Sequence, residues 1–132
     1  MNSIENFLQV KDQELLARFV FCARYVRNNG TIKHNAFLPN TKLEILSTSV
    51  FRHVGLNETD LWEIGDTLAT ERSRPLYGRA DLLANDVRKQ NLKIEPTALP
   101  PNHANITGWP PEKEKQILIA SELAQKAWFL PR

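Results

Sequence analysis

Three histidines stand in polar or turn-adjacent settings: His34 in KHN, His53 in FRHVG and His103 in PNHAN. Imidazole is the natural proton shuttle near neutral pH. If His34, His53 and His103 converge with Arg52 and Arg79, one ring serves as base and another as acid. The guanidinium groups then bind phosphate oxygens. That arrangement is a metal-independent phosphoryl-transfer or hydrolytic site for RNA or a nucleotide. The same histidines with Asp81 or Asp86 could instead ligate a metal, but no two of them share a local metal-ligand spacing. The expectation is therefore no metal and no cofactor.

Two further stretches carry binding chemistry. Arg72, Arg74, Tyr77 and Arg79 form a basic connector with an aromatic ring, suited to phosphates and a stacked base. Glu71 weakens that patch. The stretch NHANITGWPP offers His103, Asn105 and Trp109 as a ligand or partner loop. The alternative is a rigid connector whose Trp109 covers the sheet, its turns closed by Asn102, Asn105 and Thr107. In STSVFRH, Ser47, Thr48 and Ser49 could donate hydroxyl hydrogen bonds to an anion near Arg52. As a strand the segment splits them between faces, with Ser49 and Phe51 on one side and Val50 and Arg52 on the other. A serine nucleophile needs an adjacent base, and local sequence identifies none.

Other chemistries are excluded by absence. The chain lacks a phosphate-binding GxxxxGK[ST] loop, HExxH, CxxC and GxSxG. The single cysteine, Cys22, forms no internal disulfide and reads as a small buried hydrophobe between apolar neighbours. A net charge of +2 is too slight for a dedicated non-specific DNA binder. The opening MNSIENFLQV lacks the pattern of a signal peptide, and no apolar run is long enough to span a bilayer. A cytoplasmic protein is expected.

The elements that must position these residues follow from periodicity. The 132 residues, 42% hydrophobic and 24% charged, suit one globular domain over residues 1–132. Residues 12–27 fit a helix or a strand; length and the mixed second face favour the helix. Asn28-Asn29-Gly30 is turn chemistry. TIKHNAFL and LEILSTSVFRHV read as strands, joined at residues 39–42 by a hairpin-sized connection. Asn57 caps a helix, with Asp60 three residues on and Leu56 and Leu61 as the staple. Leu61, Ile64, Gly65 and Leu68 form its buried stripe, and Gly65 predicts close approach of another element. A short helix is expected over residues 79–90 and a strand at LKIE.

Residues 96–111 hold five of the eight prolines and predict an extended loop without central-strand character. Pro110 and Pro111 then lead into an amphipathic C-terminal helix, with Ile117, Ala120, Leu123, Ala124, Ala127 and Trp128 on one stripe. The fold expected is α+β: a small mixed or antiparallel sheet packed against three to four helices. The function favoured is a small non-catalytic binding or adaptor protein. Its contact surface is the 102–109 loop and the 72–79 connector. Its partner is a protein, or RNA or a phosphate-bearing small molecule.

Overall fold

The computed structural model describes residues 9–132, so most of the stretch read above for a targeting signal lies outside the described residues. Six strands form one sheet: β1 (Leu15–Val20), β2 (Thr48–Arg52), β3 (Gly78–Leu83), β4 (Lys93–Pro96), β5 (His103–Thr107) and β6 (Trp128–Pro131). Their spatial order is β4-β5-β2-β1-β3-β6, and each neighbouring pair is antiparallel. Among the described residues, three α-helices accompany them: α1 (Glu58–Arg72), α2 (Ala84–Arg88) and α3 (Lys113–Lys126). The fold is therefore α+β. Among the described residues, no helix is long and apolar enough to cross a membrane.

Alternation within the strands divides the core into two clusters. On one face Ala17, Phe19 and Phe51 pack against Leu61 of α1. On the other, Leu16, Val20, Val50, Ala104 and Ile106 pack with Phe37, Trp109 and α3 residues Ala120 and Leu123.

The cap of α1 is legible in full. Asn57 Oδ1 accepts from the Asp60 backbone N–H at 2.8 Å, and the Asp60 carboxylate accepts from the Asn57 N–H at 3.5 Å. Gly65 supplies the expected close approach. A Cβ there would lie 2.6 Å from Phe19 Cε1 and 2.9 Å from Leu76 Cδ2. Gly65→Ala should lose up to about 2 kcal/mol net, because overpacking of about 1–3 kcal/mol opposes the roughly 1 kcal/mol gain in helix propensity. Urea denaturation measures it, and an unchanged or raised midpoint would show that Phe19 yields freely.

Four expectations are corrected. Residues 12–27 do not form a helix; they form β1 and a 3-10 turn at Ala23–Tyr25. β1 lies in mid-sheet with both faces covered, so Leu16, Ala17, Phe19 and Val20 are all buried and the alternation of a half-exposed strand is erased. TIKHNAFL is not a strand. Ile32 makes one isolated bridge to Val26, His34–Ala36 is a 3-10 turn, and the supposed hairpin reduces to an Asn40–Ser47 bridge. Residues 79–90 are strand first and helix only from Ala84 to Arg88, because Arg79 and Asp81 pair with each other in the sheet. The proline-rich stretch does contain an internal strand. β5 sits between β4 and β2, with Pro100-Pro101 and Pro110-Pro111 outside its ends.

Two single residues also differ from expectation. Trp128 belongs to β6 and is 55% exposed, not part of the α3 stripe. Cys22 is half-buried, and hydrogen bonds from the Arg24 backbone and side chain lower its thiol pKa.

Candidate functional site

The ladder between β1 and β2 registers only at Leu16–Arg52 and Ala17–Phe51. Beyond it the Arg18 side chain enters the gap. Its Nη1 donates to the Ser49 carbonyl at 2.9 Å and its Nε to the Ala36 carbonyl at 2.8 Å. Burial, and secondarily the neighbouring Arg72 cation, pull the Arg18 pKa down to about 10. No carboxylate pairs with Arg18 or Arg72 among the described residues.

The opening is the mouth of a cavity of about 510 Å³. Arg18, Arg72, Ser49, His103, Asn105 and Asn40 supply its polar lining, with Leu38, Leu43 and Ser47 completing the wall. No Asp or Glu lines it. Its size suits a small ligand, with a few convergent polar groups to orient it.

Strand register explains how Ser49 and His103 meet. Ser49 lies opposite Asn105, and Phe51 opposite His103, so Ser49 and His103 are diagonal neighbours on one face. Ser49 Oγ is 2.6 Å from His103 Nε2. The ring meets Phe51 edge-on at 5.3 Å between centroids, and its Nδ1 is 2.8 Å from Thr97 Oγ1. Burial lowers the His103 pKa, which favours the neutral imidazole.

Asn102 sets the approach to β5. It takes a left-handed conformation with φ of 66°. Its Nδ2 donates to the carbonyls of Arg52 and Val54 at 2.8 and 2.7 Å. The side chain thus pins the loop to the end of β2, where the sequence suggested a turn closed on itself.

The other sequence candidates go elsewhere. His53 Nε2 contacts Asp81 Oδ1 at 3.0 Å. His34 lines a different cleft, of about 420 Å³, with Arg27, Thr31 and Ser121. The three histidines share no hydrogen bond and none of these cavities, so the three-histidine arrangement is not formed. Among the described residues, no group of three or more His, Cys, Asp or Glu side chains is placed to hold a metal ion.

Arg52 is 2% exposed and paired to both Glu14 carboxylate oxygens at 2.8 and 2.9 Å. Arg79, also 2% exposed, is held by Glu58 and Asp81 and stacks over Trp62 at 4.6 Å. Burial opposes the Arg79 charge, but the two carboxylates overcome it and raise the guanidinium pKa. Neither arginine lines the cavity. Of the basic connector, Arg72 alone does so, while Arg74 and Tyr77 are exposed outside it. Trp109 is 7% exposed, and its Nε1 donates to the Ile106 carbonyl at 3.1 Å. It is a core residue with its polar atom satisfied internally, not a contact loop.

Arg18 and Thr97 escaped the sequence reading. A lone arginine inside the apolar run LARFVF was the available signal for the first. Nothing local marks Thr97, whose importance depends on β4 lying beside β5. The fold and cavity together describe an antiparallel-sheet α+β protein with a cation-lined opening between central strands. No family model matches the chain, and no curated protein and no solved structure is significantly similar to it.

Proposed function

We propose that this protein binds a phosphate-bearing small molecule in the cavity between β1, β2 and β5. The observation that carries the reading is a pair of guanidinium groups, Arg18 and Arg72, with no carboxylate in the lining. Bringing two cations together, one of them largely removed from water, is unfavourable until an anion arrives. Guanidinium groups match phosphate geometry through paired donors. Asn105 and Asn40 add amide donors to the same space. This keeps a binding function for the protein but moves its contact surface from the 102–109 loop to the cavity.

Calorimetry with inorganic phosphate, nucleoside monophosphates and the matching nucleosides tests it. The phosphate-bearing compounds should bind, the nucleosides should not, and affinity should fall with added salt. Arg72→Gln should weaken binding by about tenfold or more, the equivalent of about 1.4 kcal/mol. Because Arg72 is exposed at the last turn of α1, where it stacks over Phe21, folding stability should change by under about 1 kcal/mol. Binding that ignores phosphate, or an Arg72→Gln variant with unchanged affinity, would sink the reading.

A further inference from the structure

We propose that Ser49 is a nucleophile, activated by His103, that accepts a phosphoryl group from an ester held against Arg18 and Arg72. This rests on the phosphate-binding reading above and adds chemistry to it. The hydrogen-bond network accommodates the proton order that this chemistry needs. Thr97 Oγ1 lies 3.1 Å from the Leu99 carbonyl and 3.4 Å from the His103 carbonyl. Both carbonyls only accept, so either can take the single Thr97 hydroxyl proton. With the proton so placed, Thr97 Oγ1 accepts at its 2.8 Å contact with His103 Nδ1, the tautomer with the ring proton on Nδ1. In that tautomer Nε2 carries the lone pair, and the Ser49 hydroxyl donates to it at 2.6 Å.

The order is hydroxyl, imidazole base and a third group that orients the base, the pattern of an activated nucleophile. Thr97 is a positioning residue here; it fixes the tautomer and touches no substrate. Ser49 lines the same cavity as the two guanidinium groups. Arg18 uses Nε and Nη1 for backbone carbonyls, and its Nη2 has no partner among the described residues.

The step balances without an added reagent other than water. His103 Nε2 takes the Ser49 proton as the Oγ–P bond forms. The P–O bond to the leaving alcohol breaks, and its oxygen receives that proton from Nε2. A water then gives its proton to Nε2 and attacks phosphorus. The P–Oγ bond breaks, and Ser49 recovers the proton. Arg18 and Arg72 stabilise the charge on the non-reacting phosphoryl oxygens.

A fluorophosphonate probe followed by peptide mass mapping reads out the nucleophile directly. Label should sit on Ser49 and vanish in Ser49→Ala. His103→Gln should slow labelling by roughly 100-fold or more. Thr97→Val should slow it less and shift its pH profile. The charged groups facing His103 across the cavity are Arg18 and Arg72. Labelling should therefore be level at neutral pH and above, and fall as the ring protonates on the acid side of the ordinary histidine range.

Label on another residue, or Ser49 labelling indifferent to His103→Gln, overturns the proposal. Phosphate binding to Ser49→Ala, measured by calorimetry, separates the two readings. Phosphate binding without labelling of the native protein leaves the binding function and removes the nucleophile. Loss of both removes both.

Discussion

Arg79→Ala should lower folding stability by about 3–5 kcal/mol, a large share of the roughly 5–15 kcal/mol typical of a domain. The reason is what stays behind. Asp81 is 8% exposed at its side chain, and Arg79 Nε donates to its Oδ1 and Oδ2 at 3.0 and 3.2 Å. Without the guanidinium, the carboxylate keeps only His53 as a side-chain partner among the described residues. Glu58, 64% exposed, returns to water at little cost. Trp62 loses the cation stacked 4.6 Å above it. Chemical denaturation should also show that Arg79→Met combined with Asp81→Val is more stable than Arg79→Ala, because apolar replacement removes both charges together. If the double variant were the weaker of the two, the cost would lie in lost packing and not in a stranded carboxylate.

Phe37→Ala is the second large expected loss, about 3–5 kcal/mol, with a matching decline in phosphate affinity. Phe37 is fully buried on the sheet face opposite α1. Its carbonyl accepts from Thr48 Oγ1 at 2.9 Å, and the preceding carbonyl, of Ala36, accepts from Arg18. Leu38 and Asn40, just beyond it, line the cavity. One ring therefore anchors the segment that walls the opening and holds Arg18. Urea denaturation and calorimetry on the same variant test both halves. A destabilised protein with native phosphate affinity would show that the wall is held by other contacts.

The legible parts of the fold are those whose signal is local. The Asn57–Asp60 cap announced α1, and the β-branched content of STSVFR announced β2. The opaque parts are those decided by neighbours. Arg79 and Asp81 look like surface residues of a helix because each is polar alone; side by side in β3 they neutralise one another and become buried. β1 satisfies two periodicities because both its faces are covered. The site divides in the same way. His103, Asn105, Ser49 and Arg72 were each visible as chemistry-bearing residues. The imidazole that the local sequence did not offer Ser49 stands 54 positions away and is delivered by the β2–β5 register. Arg52 looked available for phosphate because its partner, Glu14, lies 38 positions off.

The strand order also has a kinetic consequence. β2 pairs with β5 and β3 with β6 over long sequence separations, while β1 joins the two pairs. Such a topology has high contact order, and loop-closure entropy makes its non-local pairings slow to form. The cavity draws on β1, β2, β5 and the end of α1, so no contiguous fragment carries it. It exists only once the longest loops have closed. A ligand that recognises the finished cavity acts as a staple across those closures, and mass action spreads its stabilisation over the whole cooperative unit.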